Sequence, residues 1–172
     1  MNREELDVKL QDLGITNEMV QASKLPFQEE PEDLIDAGID YYGRKQKLAA
    51  CANNAWLEMQ ASARLDGHDI KIISAFRSIE YQCNLISKKL AQGQTILEIL
   101  GTNAIPGYSE HHSGRALDLH SGNGAPLDEC FEKEPAFFWL TENAGKFKFY
   151  MSYPKKNGFG IIYEPWHWCY RD

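Results

Sequence analysis

Metal-ligand residue types in two widely separated segments constrain this chain more than any other feature. Ser109-Glu110-His111-His112-Ser113-Gly114-Arg115-Ala116-Leu117-Asp118 lies mid-chain and Glu164-Pro165-Trp166-His167 lies near the C-terminus. A fold that uses both must bring them to one point. Catalytic zinc usually takes three protein ligands, leaves one position for water and has a carboxylate close by to move protons. His111, Asp118 and His167 are the candidate ligands and Glu164 is the spare carboxylate, a set that reads as a hydrolytic zinc site.

With 172 residues, 43% of them hydrophobic, the chain can bury one core, so residues 1–172 are expected to form a single domain. The formal charge of -7 and the lack of a long Lys/Arg cluster argue against nucleic acid and favour a small or peptide substrate. No stretch approaches the ~20 apolar residues of a membrane span. The N-terminus, Met1-Asn2-Arg3-Glu4-Glu5-Leu6-Asp7, is too acidic for a signal peptide. As written, the protein is expected in the cytoplasm, with a periplasmic place or release by lysis left open. Cys51, Cys83, Cys130 and Cys169 lack C-x-x-C spacing, and without a leader no structural disulfide is expected. Nothing in the sequence sets the oligomeric state.

Arg3 to Leu13 reads as a helix stopped by Gly14, and Thr16 can cap a second one. Leu25 to Gly38 reads as an irregular connector marked by Pro26 and Pro31. From Gly43 to Leu65 the set Leu48, Cys51, Ala52, Ala55, Trp56, Met59 and Ala63 recurs with a helical period. A strand is predicted over Ile70 to Ser74, then a helix capped by Ser78, then short helical turns opened by a Thr95/Glu98 capping box. Arg115 to Leu119 alternates, so Ala116 and Asp118 face away from Leu117 and Leu119. Pro135 to Ala144 is a predicted helix, and Phe147 to Tyr153, Phe159 to Tyr163 and Trp166 to Tyr170 are predicted strands. This order favours an α+β domain with a small, largely antiparallel sheet and packed helices. Residues 1–45 are expected as a helical extension on a core spanning 46–172.

The residues alone leave rivals at the metal. His112 adjoins His111, His120 shares a strand face with Asp118, and Cys169 shares one with His167. Glu164 precedes a proline, which biases it to extended backbone, yet strict alternation would place it opposite His167.

Taken together, the motifs resemble those of the VanY-like zinc D-alanyl-D-alanine carboxypeptidases, whose signature S-x-H-x-x-G-x-A-x-D is followed by E-P-W-H. Every fixed position of both is present, and Ser74-Ala75-Phe76-Arg77-Ser78 is similar to the family's S-G-Y-R-S. The resemblance runs from about Lys47 to Tyr170 and implies a hedgehog/DD-peptidase-like fold. It implies His111, Asp118 and His167 as zinc ligands, ranking His112, His120 and Cys169 below them. It assigns Glu164 as general base and Arg77 as clamp for the substrate carboxylate, with Gln82, Ser109 and, more weakly, Tyr108 as substrate contacts. A guanidinium suits that task because it offers a carboxylate paired hydrogen bonds. Zinc would acidify water and polarise the carbonyl while Glu164 relays the proton, with no covalent intermediate.

Three departures touch the surroundings of the cleft: Ala75-Phe76 for Gly-Tyr, and Ser152 and Cys169 where relatives often carry Arg. The implied activity is removal of C-terminal D-alanine from peptidoglycan peptides or precursors. A phage-lysin-like peptidoglycan endopeptidase is the alternative, and a non-catalytic zinc-binding interaction domain a third reading.

Overall fold

Short polar side chains close the free N–H groups where four helices begin. In the computed structural model, which describes residues 1–172, the chain runs α1 (Arg3–Asp12), α2 (Asn17–Ala22), β1 (Leu34–Ile39), β2 (Lys45–Ala49), α3 (Ala50–Leu65), β3 (Lys71–Ser74), α4 (Ile79–Ala91), α5 (Ile96–Leu100), β4 (Ala116–His120), α6 (Pro135–Asn143), β5 (Phe149–Met151) and β6 (His167–Tyr170). Thr16 and Ser78 cap α2 and α4, and Thr95 forms the expected capping box with Glu98 on α5. Asn2 and Glu5 make a second box on α1.

Strands β3-β4-β6-β5 form one sheet in that order, every pair antiparallel, so the fold is the α+β arrangement expected. Alternation sorts its residues. Ile72, Leu117, Leu119, Phe149, Trp168 and Tyr170 join the larger core, which α3 enters through Ala52, Trp56, Met59 and Ala63. A smaller core gathers Leu6 and Leu10 of α1 with Ile79, Cys83 and Ile86 of α4 and Ile99 of α5. The side of β4 and β6 that carries Asp118 and His167 is thereby left free of leucine and tryptophan. All four cysteines are free thiols, and no helix is long and apolar enough to cross a membrane.

Three expectations are corrected. The connector expected over Leu25 to Gly38 ends in β1, which pairs antiparallel with β2. The helix expected from Gly43 starts at Ala50, and residues 1–45 are helical only as far as Ala22. The cause is Asp40, whose buried carboxylate accepts from the backbone N–H of Tyr42 and Arg44, each at 2.9 Å, from Arg44 Nε at 2.7 Å and from Gln46 Nε2 at 2.8 Å. That clamp shapes a turn with Gly43 at φ +77°, and Tyr41 N–H then bonds the carbonyl of Ile72 at 2.8 Å. Helical periodicity from Leu48 onward conceals this turn, because the clamp depends on side-chain bonds with no hydrophobic signature. Phe159 to Tyr163 is not a strand. Asn157 Nδ2 bonds the carbonyls of Pro154 and Ile161, closing that segment as a loop.

Asp40→Ala is expected to lower unfolding free energy by about 2 to 3 kcal/mol, the range for losing charge-assisted bonds at a buried carboxylate. Urea unfolding measures it. Its bonds hold the Asp40 pKa below the ordinary value despite burial, so the contribution is present above the unfolded aspartate pKa and is lost as pH falls through the folded one.

Candidate metal centre

Antiparallel register sets Asp118 of β4 directly opposite His167 of β6. His111 comes from the single 3-10 turn Glu110–Ser113 that leads into β4. His111 Nε2 lies 3.2 Å from Asp118 Oδ2 and His167 Nδ1 lies 3.1 Å from Asp118 Oδ1. All three side chains are buried, and their candidate ligand atoms lie within 4.8 Å of one another. Tetrahedral zinc with bonds of ~2.0 to 2.2 Å separates its donors by about 3.3 Å. Two nitrogens and a carboxylate at these spacings fit such an ion. Gly114 makes the entry into β4 sharp: its φ is +65°, and a Cβ there would stand 2.9 Å from the backbone nitrogen of Ala49. The Gly114 carbonyl accepts that same N–H.

The second nitrogen of each imidazole is also engaged. A carbonyl can only accept, so the 2.7 Å contact from His111 Nδ1 to the carbonyl of Ala75 places a proton on Nδ1 and leaves the Nε2 lone pair facing Asp118. The departure to Ala at 75 is neutral here because its backbone makes the contact. On His167, Nε2 lies 2.9 Å from Glu110 Oε2.

The rivals are elsewhere. His112 Nδ1 donates to the carbonyl of Arg77 at 2.6 Å, while Arg77 N–H donates to the carbonyl of His111 at 3.2 Å. His120 packs edge-on against Tyr41. The Cys169 thiol, pushed well up by burial and then by the negative charge of Glu110, turns to the carbonyl of Tyr170 at 3.7 Å.

Glu164 joins the site through a turn. The His167 N–H bonds the Glu164 carbonyl at 3.1 Å, so Pro165 and Trp166 occupy a tight reversal ahead of β6. Alternation therefore does not apply between residues 164 and 167, and Glu164 Oε2 reaches to 3.8 Å from His167 Nδ1. Arg77, Ser109, Tyr153, Glu164 and Asn103 line one cleft with His111 and His167. Arg77 Nε is buried without a partner.

Two expected substrate contacts do not reach that cleft. Gln82 faces inward from α4, fully buried, and its Nε2 donates to the carbonyl of Ala104 at 3.0 Å, so it touches the cleft only through Ala104. Tyr108 packs edge-to-face on Phe27, 5.7 Å between ring centres, against the smaller core. Tyr153, whose ring lies 4.8 Å from that of His167, is a wall residue the motifs do not mark, and only its place among aromatics beside Pro154 hinted at burial. Glu110 was the other omission, since the signature leaves its position unspecified.

Acidic and basic groups crowd the site together. Burial alone would raise Asp118, yet the two imidazoles hold it well below the carboxylate range. Burial lowers His111, whereas on His167 the hydrogen bonds its ring donates to Asp118 and Glu110 outweigh burial and raise the pKa to about 10. Burial above all raises Glu164 to about 7, against the pull of His167. Without a cation, His167 therefore carries the proton at neutral pH, and a metal ion must displace it. Binding of zinc at pH 7 is expected to release about one proton per ion from His167, with a further fraction from Glu164. Calorimetry in buffers of different ionisation enthalpy measures the number, and zero release would mean that His167 is neutral in the metal-free protein.

Comparison with known proteins finds relatives over most of the chain. YodJ of Bacillus subtilis (strain 168), a protein named as a carboxypeptidase, is 31% identical over 155 residues, covering 85% of this chain and 56% of YodJ. This chain thus spans just over half the length of that relative. Among solved structures, the LdcB LD-carboxypeptidase superposes with a TM-score of 0.74 at 29% identity over 84% of this chain and 71% of its own. VanYB, solved in complex with D-alanine-D-alanine, gives 0.64 at 25% identity over 86% of each chain. Residues 45–172 match the family as a whole, and the chain belongs to the VanY family of D-alanyl-D-alanine carboxypeptidases.

Proposed function

We propose that this protein is a zinc carboxypeptidase that removes a C-terminal D-alanine from peptidoglycan peptides or their precursors. One observation carries the reading: a buried carboxylate, Glu164, and a guanidinium with an unpartnered Nε, Arg77, line the same cleft as the candidate ligands His111 and His167. The D-alanine-D-alanine held by VanYB and the family match support the choice of substrate.

His111, Asp118 and His167 would hold the zinc, which would supply Lewis-acid polarisation of the scissile carbonyl and acidify water toward a pKa of ~7. Arg77 fixes the terminal carboxylate and so orients the last peptide bond toward the ligand cluster. Its backbone is pinned on both sides by His111 and His112, which makes its position part of the metal motif itself. Glu164, raised toward neutrality by burial, accepts the proton of the attacking water and delivers it to the leaving amine. Tyr153 and Ser109, both buried, close the wall and limit the water that can compete.

Glu164→Gln is expected to keep fold and zinc but lose at least ~100-fold in turnover, the lower range for removing a general base. The base works ionised, so kcat/KM should fall as pH drops through its titration. A cation beside Glu164 pulls that point down from about 7, which sets the upper limit for the acid limb. Turnover of muropeptides read by mass spectrometry tests both statements, and wild-type rates in Glu164→Gln would assign the proton to another group.

Arg77 also borders an outer groove shared with Arg44, Lys45 and Tyr81, and a peptide continuing past Arg77 into that groove is what the endopeptidase alternative requires. The two readings differ at the C-terminus. Arg77→Lys and C-terminal amidation of the substrate are each expected to lower kcat/KM by roughly 10- to 150-fold, equivalent to about 1.5 to 3 kcal/mol. Their effects should overlap because each removes the same contact. Equal cleavage of amidated and free-acid peptides would favour the endopeptidase.

A further inference from the structure

Glu110 stands between Ser109 and the ligand His111, yet its side chain turns to the other end of the ligand set. Its Oε2 lies 2.9 Å from His167 Nε2, the nitrogen that faces away from Asp118. The carboxylate is itself held. Arg171 Nη2 approaches Glu110 Oε1 at 3.6 Å and Ser152 Oγ at 3.3 Å, and the Ser152 hydroxyl also bonds Glu110. Both departures near the C-terminus, Ser152 and Cys169, therefore meet around this one carboxylate, and the cation beside it comes from Arg171, the next residue on the same side of the chain after Cys169.

An imidazole that ligates through Nδ1 must carry its proton on Nε2, and a fixed acceptor at Nε2 selects that tautomer and holds the ring plane. We propose that Glu110, braced by Ser152 and Arg171, is the positioning residue for His167: it accepts the Nε2–H and aims the Nδ1 lone pair at the ion shared with His111 and Asp118. The equivalent partner of His111 is a backbone carbonyl, that of Ala75, which no side-chain substitution removes. Glu110 is thus the mutable half of the support around the metal.

The inference rests on the reading of this site as a zinc centre, and the experiment separates the two. Zinc affinity is measured by competition with a chromophoric chelator, and the ring N–H resonances of the zinc-loaded protein are recorded by 15N-edited NMR. Glu110→Ala is expected to bind zinc about 10- to 100-fold more weakly and to lose the His167 Nε2–H resonance to exchange with water. Glu110→Gln, which keeps an acceptor in the same place, is expected to recover most of both. If Glu110→Ala does not fold, Glu110→Asp carries the test, because it keeps the charge but withdraws the acceptor by one methylene, and smaller losses of the same kind are expected. Wild-type affinity with an unchanged ring resonance in the folded variant overturns the proposal, as does a loss of thermal stability with neither readout altered. Failure of the unmodified protein to bind zinc overturns the metal reading instead.

Discussion

The pairing of β4 with β6 is the interaction on which the rest depends. It sets Asp118 against His167, and Leu117 against Trp168 on the opposite face, so one register supplies both the polar cluster and the wall of the larger core. A slip of one residue would turn leucine toward the metal and aspartate into the core. Burial of Leu117, Leu119 and Trp168 resists that slip far more strongly than the ligands could, because each large apolar side chain contributes roughly 1.5 to 3 kcal/mol when buried. The hydrophobic face thus preorganises the chemical one.

That arrangement gathers charge which folding alone does not favour. Asp118, Glu110 and Glu164 are carboxylates in or beside a buried cluster, and without a metal their charge is offset by Arg77, Arg171 and a proton kept on His167. Buried ionic groups tend to cost more in lost hydration than they return unless each is paired. A dication among the three ligands relieves the repulsion and removes the need for a proton on His167. Binding of the ion and stability of the site are therefore linked, with the sheet supplying the energy that keeps the unfilled cluster together.

Much of this was legible in the sequence, for reasons that are local. Ser78, Thr16 and the Thr95/Glu98 box cap where short polar residues precede apolar stripes, and alternation in Ala116-Leu117-Asp118-Leu119 separated Asp118 from the core leucines. What the sequence hid depends on contacts made at a distance or on the direction of one side chain. The β1–β2 turn depends on a carboxylate clamp whose donors have no apolar pattern. Gln82 lies one turn into α4, as its spacing says, but only packing decides that it points at Ala104 rather than at substrate. Tyr108 belongs to the smaller core because α1 and Phe27 are there to receive it, a contact between segments far apart in the chain. The opposition expected between Glu164 and His167 failed because a turn, not a strand, joins them.

The adjacent histidines show how closely Arg77 and the ligand cluster are joined. His111 aims its ring at the ligand cluster while its carbonyl receives the Arg77 N–H, and His112 returns from the next position to hold the Arg77 carbonyl. Arg77 is thus fixed by two hydrogen bonds from the segment that supplies the metal ligand, and the ring of His111 is fixed by Ala75 from the segment that supplies Arg77. These reciprocal bonds cross between β3's exit and β4's approach, two strands already paired in the sheet. A guanidinium mounted independently could drift by an ångström relative to the ion, and misplacement of that size costs about 100-fold in rate. Mounted this way, the backbone of Arg77 keeps a fixed place relative to the ligand cluster, and a guanidinium that clamps a terminal carboxylate, as proposed, would work from that fixed point.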